Sequence, residues 1–189
     1  MMKFSVQKTP ISDLLVIRPN VYEDERGFFL ETYNKDEFEK LGLNLDFVQD
    51  NHSKSKKGVL RGLHFQTKFS QGKLVRVTKG SVWDVAVDLR KDSKTYKNWF
   101  GIEISEKNKL MFYIPENFAH GFLTLEDNTE FQYKCTNFYH AEYDSGIIWN
   151  DKNINVKWPF DVYDIDINEV IISEKDKKMQ NFEDYDEKK

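Results

Sequence analysis

His64 is the side chain best suited to acid–base chemistry in this sequence, because imidazole titrates near neutral pH. It lies in the stretch 58–66, where Arg61 is a second basic residue among apolar, strand-forming neighbours. Buried strands rarely carry two basic side chains, so the pair faces either solvent or an anionic ligand inside a cavity. Together with Tyr133 as a phenolic acid and Lys73 as a further cation, they suit proton transfer next to a carbonyl group.

Taken singly, each of these polar residues has a purely structural explanation. A lysine at the start of a strand is usually solvated, and a tyrosine that alternates with Phe131 and Cys135 is typical of a core. Their joint presence in one small domain is what favours a functional site. Cys135 is the only cysteine, so it cannot form an internal disulfide, and it fits a small core residue.

A metal site is the first alternative to test, since small β-barrels often bind a metal through a His-x-His pair. The corresponding residues here are His64-Phe65-Gln66, and a glutamine amide is a poor ligand for transition metals. No two histidines in the sequence are two residues apart. The sequence also has no nucleophile elbow, dinucleotide-binding motif or phosphate-binding loop. We therefore expect neither a metal nor a cofactor.

Length and charge set broad limits on the function. A chain of 189 residues fits one domain with a sizeable core. Its net charge of −4 argues against non-specific nucleic-acid binding, which needs clustered basic residues. No apolar run approaches the roughly 18 residues of a membrane span, and the first residues lead into a strand rather than a signal peptide. We expect a soluble, cytoplasmic protein with neither a nucleic-acid nor a membrane partner.

Short apolar runs separated by turn residues indicate a mainly β protein, a sandwich or barrel of antiparallel strands with few short helices. The clearest predicted strands span residues 73–78, 82–88, 99–104, 109–114, 121–125 and 130–136. Lys79-Gly80 is predicted to join the first two as a tight hairpin, with Gly80 at positive φ. One short helix is predicted over residues 34–42, with Asn34 as its N-cap.

The alternation of side chains along a strand assigns faces around His64. One face holds Leu60, Gly62, His64 and Gln66, and the other holds Arg61, Leu63 and Phe65. A regular strand therefore separates Arg61 from His64. Gly62 lies between them and is a natural position for a β-bulge, which re-aims side chains and would let both enter one cavity.

Two segments near the C-terminus have distinct compositions. An aromatic cluster, which we expect to close one end of the barrel, comprises Trp149, Trp158, Pro159 and Phe160. The stretch 173–189 is dense in charge and poor in apolar residues, which is typical of a solvated or poorly ordered tail.

A series of short motifs also runs along the chain. They are Asp24-Glu25-Arg26-Gly27-Phe28-Phe29 with Glu31, then 47–53, 59–66, 71–76, 118–122, Tyr133-Lys134, Tyr139, Trp149-Asn150-Asp151, Trp158-Pro159 and 173–176. In this order, from about residue 16 to residue 176, the chain resembles the dTDP-4-dehydrorhamnose 3,5-epimerases, a cupin-fold enzyme family of deoxysugar synthesis. The resemblance implies a cupin-type antiparallel β-barrel or jelly roll in a single domain over residues 1–189, with about 177–189 as the charged tail.

The resemblance also implies a reaction. The substrate would be dTDP-4-dehydro-6-deoxy-D-glucose, whose ketone at carbon 4 acidifies the protons on carbons 3 and 5. Inverting both carbons gives dTDP-4-dehydro-L-rhamnose, for dTDP-L-rhamnose and a cell-surface polysaccharide such as lipopolysaccharide. His64 is implied as the base, Tyr133 as the acid on the opposite face and Lys73 as the cation beside the enolate. Asp176 is implied to pair with His64 and to hold its orientation.

Binding roles come from the same resemblance. The residues implied to contact the substrate are Arg26, Phe29, Glu31, Gln49, Asn51, Arg61, Lys73, His120, Tyr139, Asp144 and Lys175. Tyr139 would stack on the thymine ring, and the planar fork of Arg61 would bind the diphosphate. Asp144 stands where relatives often have glutamate. Relatives are homodimers whose N-terminal strands contribute across the interface, so a homodimer is expected.

A role for Asp176 requires ordered structure through that residue. We expect truncation after Asn168 to abolish activity, because it removes the partner of His64. Truncation after Met179 is expected to be tolerated, since only the charged tail is lost.

Two rival functions remain open. The nearer is a mono-epimerase, or a ketoisomerase that moves the carbonyl between carbons 3 and 4, acting on a related nucleotide-linked 4-keto sugar. These enzymes share the base and differ in where, or whether, the protonating tyrosine sits, and Tyr133 before Lys134 favours the double epimerase. The more distant rival is a non-catalytic barrel that binds a sugar nucleotide or a carbohydrate, which has no need of an acid and a base on opposite faces.

Overall fold

A computed structural model describes residues 3–187, which form thirteen strands and three short helices. The strands are β1 (Phe4–Lys8), β2 (Leu15–Pro19), β3 (Tyr22–Asp24), β4 (Gly27–Phe29), β5 (Gln49–Ser55), β6 (Leu60–Gln66), β7 (Lys73–Lys79), β8 (Ser81–Asp88), β9 (Trp99–Ser105), β10 (Met111–Ile114), β11 (Phe118–Thr124), β12 (Thr129–Cys135) and β13 (Asp144–Gly146). The helices are α1 (Lys35–Lys40), α2 (Glu174–Lys177) and α3 (Phe182–Glu187). Among the described residues, no helix is long and apolar enough to cross a membrane.

The strands form two large antiparallel sheets and one separate hairpin. The six-stranded sheet has the order β1-β2-β10-β7-β12-β5, and the five-stranded sheet has the order β13-β6-β11-β8-β9. β3 and β4 pair only with each other in the described part of the chain. Most neighbours are distant in sequence, as in a jelly roll, so the predicted cupin-type, mainly β fold is confirmed.

The six predicted strands are all present, with small differences at their ends. The largest difference is at β11, which begins at Phe118, three residues before the predicted start. The polar His120 lies near its beginning and is buried. The predicted hairpin at Lys79-Gly80 is wrong, because β7 and β8 belong to different sheets. Gly80 does have positive φ (72°), but its turn carries the chain from one sheet to the other.

The main core lies between the two sheets. It contains Val75 of β7 and Phe131 of β12 from one sheet, with Ala86 of β8 and Phe122 of β11 from the other. Because these side chains point inward, alternate residues such as Trp83 point outward. Trp83 packs there with the predicted aromatic cluster, whose members Trp149, Trp158 and Phe160 therefore cover an outer face rather than close a barrel end.

The outer face of the six-stranded sheet is partly covered by α1. The helix confirms the prediction over residues 34–42, since the Asn34 side chain caps it by accepting a hydrogen bond from the Glu37 N–H (3.3 Å). Phe38 on this helix is fully buried against Phe4 and Met111 of the sheet. The chain between β4 and β5 is thus fastened to one side of the core.

The C-terminal stretch does not form the solvated tail that its charge predicts. Phe182 and Tyr185 of α3 are 1% and 7% exposed, and they pack with Phe65 of β6. The Phe182 N–H also donates to the buried Asp151 carboxylate at 2.9 Å. The prediction of a poorly ordered tail is therefore wrong for residues 177–187, while 188–189 lie outside the described residues. The two apolar residues are three apart, so they share one face of a short, otherwise charged helix.

Candidate active site

A cavity of about 260 Å³ lies between the two sheets. Its walls come from β5, β7 and β12 on one side and from β6 and β11 on the other. The lining residues are Asn51, His52, Ser53, Arg61, His64, Lys73, His120, Gly121, Phe122 and Tyr133. Six residues predicted for the site are thus brought together, namely Asn51, Arg61, His64, Lys73, His120 and Tyr133.

The predicted bulge at Gly62 explains why Arg61 and His64 share this cavity. His64 pairs with His120 of β11, whereas Arg61 pairs with Phe122, so β6 has one residue more than β11 over this stretch. Gly62 has φ of +119°, a conformation that favours glycine. A Cβ atom there would lie 2.5 Å from the Gly121 Cα, so the close approach of the two strands also requires glycine.

His64 forms a pair with Asp176, a residue 112 positions away in the chain. Its Nε2 lies 3.0 Å from Asp176 Oδ1, and the Gly62 N–H, freed by the bulge, donates to Oδ2 at 3.1 Å. Asp176 reaches this position from α2, whose N-cap Ser173 accepts a hydrogen bond from the Asp176 N–H. Burial by itself would raise the pKa of Asp176, but the attraction of the His64 ring and the Gly62 N–H lowers it overall.

The ionised Asp176 determines which nitrogen of His64 is basic. A carboxylate only accepts hydrogen bonds, so Nε2 of the imidazole carries the proton. Nδ1 then carries the lone pair that can accept a proton. The pair therefore has the geometry of a general base held by a carboxylate.

Tyr133 lines the facing wall, on β12 of the six-stranded sheet. Burial raises the pKa of Tyr133 to about 12, with smaller contributions from Cys135 and Asp144. The phenol is therefore protonated at neutral pH and can act as an acid. Because His64 is on the other sheet, the base and the acid approach the cavity from opposite sides.

Lys73 lies beside Tyr133, with its ammonium nitrogen 5.9 Å from the centre of the tyrosine ring. Burial lowers the pKa of Lys73, and Asp84 and Asp144 oppose this only through long-range attraction. No carboxylate in residues 3–187 forms an ion pair with it, so its charge is stabilised poorly by the protein itself. A cation in this situation favours an anion in the cavity.

His120 is held by a residue that the sequence did not single out. Its Nε2 lies 3.0 Å from Oδ1 of Asp84, which is fully buried on the adjacent strand β8. Burial lowers the pKa of His120 despite the attraction of Asp84, so the ring is neutral at neutral pH. The sequence did contain a signal for Asp84. It is an acidic residue within the apolar run of β8, and it follows the outward-facing Trp83, so its side chain points into the core.

The histidines do not converge on a common point. His64 and His120 each contact one carboxylate, and His52 at the cavity wall lies 3.3 Å from Glu130. In the described part of the chain, no three side chains of His, Cys, Asp or Glu are grouped so as to hold a metal ion.

Tyr139, Asp144 and Lys175 are joined to one another next to the cavity. The Tyr139 hydroxyl donates to Asp144 Oδ2 at 2.8 Å, and the Lys175 ammonium group forms an ion pair with the same carboxylate. Asp144 lies on β13, which pairs directly with β6. Gln49 belongs to this group as well, because its side-chain Oε1 accepts a hydrogen bond from the Tyr139 N–H at 2.8 Å. The structure therefore places these four predicted residues together.

The remaining predicted residues, Arg26, Phe29 and Glu31, do not line this cavity. Arg26 and Phe29 lie on the β3–β4 hairpin, where the Arg26 side chain is 86% exposed and pairs with its neighbour Asp24. Glu31 follows the hairpin and pairs with Lys3. One chain alone thus does not bring these residues to the site.

Comparison with known proteins identifies related sequences and structures. The family model for dTDP-4-dehydrorhamnose 3,5-epimerase matches residues 8–184. The dTDP-4-dehydrorhamnose 3,5-epimerase of Methanothermobacter thermautotrophicus is 53% identical over 180 residues, which is 95% of each chain. The crystal structure of the Elizabethkingia anophelis epimerase has a TM-score of 0.89 and 48% identity, covering 96% of this chain and 98% of that one. A Legionella pneumophila 3,5-epimerase in complex with dTDP-4-keto-L-rhamnose has a TM-score of 0.88 and 44% identity, covering 94% and 92%.

Proposed function

Because the chain belongs to the dTDP-4-dehydrorhamnose 3,5-epimerase family, we propose that it inverts carbons 3 and 5 of dTDP-4-dehydro-6-deoxy-D-glucose. The product is dTDP-4-dehydro-L-rhamnose. The observation that carries the proposal is a base and an acid on facing sheets, His64 and Tyr133, with the ammonium group of Lys73 beside the acid. Inversion of a carbon requires a proton to leave one face and another to arrive at the opposite face.

The first step is proton removal from the carbon next to the ketone. Nδ1 of His64 accepts the proton, and the electron pair of the broken C–H bond forms an enolate with its negative charge on the oxygen of carbon 4. Asp176 stabilises the imidazolium that results. Lys73 stabilises the enolate oxygen, where a buried positive charge has its largest effect.

The second step is reprotonation from the opposite side. The Tyr133 hydroxyl gives its proton to the same carbon, so a new C–H bond forms with inverted configuration. The imidazolium and the phenolate then return to their starting states by proton exchange with water. Repetition of these steps at the other carbon completes the double epimerisation.

Substrate binding is assigned to the polar residues at and near the cavity. Arg61 and Lys175 suit the diphosphate, and within residues 3–187 the Arg61 guanidinium donates only to Ser55 Oγ (3.2 Å). Asn51 and His120 lie in the cavity, where they can bind the sugar hydroxyl groups. Tyr139 has a half-exposed ring for the thymine base, near Gln49 and Asp144.

A homodimer completes this assignment. The β3–β4 hairpin exposes Tyr22, Phe28 and Phe29, and an isolated two-stranded hairpin is marginally stable in water. A second copy of the chain would cover these rings and receive Arg26, Phe29 and Glu31 at its own site. We place the reaction in the cytoplasm, as a step of dTDP-L-rhamnose biosynthesis that supplies a cell-surface polysaccharide.

The test is incubation with dTDP-4-dehydro-6-deoxy-D-glucose in deuterated water, followed by NMR of the sugar. Deuterium at carbons 3 and 5 with inverted configuration is expected, and His64→Ala should abolish it. Labelling at one carbon only would instead identify a mono-epimerase, and a displaced carbonyl would identify a ketoisomerase. A native protein that binds the sugar nucleotide without exchange would be a non-catalytic binder.

A further inference from the structure

The segment that carries Tyr139 has an unusual set of hydrogen-bond partners. Residues 137–140 belong to no strand, yet their backbone groups are bound by glutamine side chains. Gln71 donates to the Asn137 carbonyl at 2.8 Å, and Gln49 accepts from the Tyr139 N–H at 2.8 Å. These contacts replace the bonds that a neighbouring strand would supply.

Gln66 makes the most extensive of these contacts. Its Nε2 donates to the carbonyl of Phe138 at 3.2 Å and to that of Phe69 at 2.7 Å. Its Oε1 accepts from the His140 N–H at 2.6 Å. The Gln66 amide therefore binds the backbone on both sides of Tyr139 and connects this segment to the loop that contains Phe69.

The chemistry of these contacts is specific to an amide. The three contacts need two N–H donors and one acceptor at a single position, and this position is buried, because Gln66 is only 7% exposed. A glutamine side chain supplies the donors and the acceptor without a charge. A glutamate would lose both donors and would place a negative charge next to two carbonyl oxygens. A methionine has a similar shape and makes none of the three bonds.

We propose that Gln66 is a positioning residue for nucleotide recognition, which holds the backbone on both sides of Tyr139 so that its ring is ready to stack on a pyrimidine base. The inference rests on the proposed function, in which Tyr139 contacts the base. The ring is 52% exposed and its own side-chain anchor is the bond to Asp144, so its direction depends on the backbone that carries it. A loop that is ordered before binding loses less conformational freedom when the ligand arrives.

The experiment compares wild type and Gln66→Met by titration calorimetry with dTDP and by steady-state kinetics with the dTDP-4-keto sugar. Base stacking on an aromatic side chain is worth about 10-fold or more in affinity, so partial loss of its order should weaken dTDP binding by about 5- to 10-fold. KM should rise by a similar factor with kcat within about twofold, since the groups that transfer protons are unchanged. Lys152→Met, at an exposed position in a turn after β13, is the control and should behave as wild type.

A double-mutant cycle with Tyr139→Ala shows whether Gln66 acts through the ring. If it does, Gln66→Met weakens dTDP binding in the wild-type background and has almost no further effect in Tyr139→Ala. Additive effects would overturn the proposal, as would unchanged dTDP affinity in Gln66→Met, or a fall in kcat alone. If the methionine variant lacks the native circular dichroism spectrum, Gln66→Asn replaces it with the same expectations, because the shorter amide cannot reach both sides of Tyr139.

The outcomes also separate this inference from the proposed function. A wild-type protein that neither binds dTDP nor exchanges sugar protons would contradict the function itself. An active wild type whose dTDP affinity does not respond to Gln66 would contradict only the positioning role.

Discussion

Burial in the cavity affects its ionisable side chains differently. The pKa of Tyr133 is raised to about 12 and the pKa of Lys73 is lowered, because both groups lose water. Asp176 is buried too, yet its hydrogen bonds with His64 and Gly62 keep its pKa low. The result at neutral pH is a protonated phenol and a carboxylate-bound imidazole, beside a lysine that has no ion-pair partner among the described residues. This is the combination that proton abstraction next to a ketone requires.

Replacement of Tyr133 by phenylalanine should separate proton removal from inversion. The variant lacks the acid on the far wall, so formation of the inverted sugar should fall by about 10²- to 10⁴-fold. His64 can still remove and return protons on its own side, so deuterium should enter the substrate with retained configuration. NMR in deuterated water measures both outcomes, and His64→Ala, which should lose both, is the control. Inversion at the wild-type rate in Tyr133→Phe would contradict the role of the phenol.

The pH dependence of kcat/KM should report Lys73 on the alkaline side. Its charge is required and is lost as the pH rises through its pKa, which burial places below the ordinary value of 10.5. The fall in kcat/KM should therefore occur below pH 10.5, whereas Tyr133 would cause a fall only near its pKa of about 12. In Lys73→Met, kcat/KM should drop about 10²- to 10³-fold and the remaining activity should lose this limb. An unchanged limb in that variant would show that another group titrates, provided that circular dichroism shows folded protein at each pH.

At the scale of elements, the chain after residue 172 supplies a side chain to the site and packs against the sheet that carries it. α2 delivers Asp176 to His64, and α3 fastens the end of this segment through Phe182 and Tyr185. Between them, the Gln180 carbonyl accepts a hydrogen bond from the Ile148 N–H at 2.9 Å. The position of the carboxylate therefore depends on the packing of residues that follow it.

Truncation after Met179 should destabilise the protein, contrary to what the charged composition suggests. It removes Phe182, and loss of a buried phenylalanine costs about 3–5 kcal/mol in the free energy of unfolding. Urea denaturation should show a lowered midpoint for the truncated chain and for Phe182→Ala. Glu183→Ala, an exposed position on the same helix, is the control and should stay within about 0.5 kcal/mol of wild type. A truncated chain with the wild-type midpoint would show that α3 contributes nothing.

At the scale of the whole molecule, the separate β3–β4 hairpin is the feature that one chain does not explain. Its aromatic rings are exposed and the Arg26 side chain contacts only its hairpin neighbour Asp24 among the described residues, although the resemblance assigns Arg26 and Phe29 to substrate binding. A site shared between two copies of the chain accounts for both facts. In such a dimer each cavity would receive the hairpin of the other copy.

Subunit complementation should test the shared site. His64→Ala lacks the base and Arg26→Ala lacks a hairpin residue, so each homodimer should be nearly inactive. When equal amounts re-pair at random, about half of the dimers contain one copy of each variant, and one of the two sites in such a dimer has both His64 and Arg26. About a quarter of all sites should then be intact, with about a quarter of the wild-type activity. No recovery after re-pairing, shown by mass measurement to have occurred, would mean that the hairpin serves its own chain or no site.

Residue types and their alternation were enough to predict the mainly β fold, α1 with its Asn34 cap, and the set of His64, Tyr133, Lys73 and Arg61 as a candidate for proton transfer. These are local properties, because side-chain chemistry and the period of two do not depend on distant contacts. Asp176 and the binding residues other than Arg61 and Lys73 came from the family resemblance. The charged composition of the last residues was misleading, since the burial of Phe182 and Tyr185 depends on the surface they meet.

Tertiary structure decided which of these residues share a cavity. Arg61 and His64 converge because Gly62 bulges against Gly121, and Asp176 meets His64 across 112 residues of chain. The sheets place Tyr133 opposite His64, a relation that the resemblance implied but that residue patterns left open, because they do not show to which sheet each strand belongs. The contact of Asp84 with His120, and the contacts of Gln66 with the backbone on both sides of Tyr139, were likewise visible only in the fold. Such contacts depend on the close approach of strands from different parts of the chain, which local patterns do not encode.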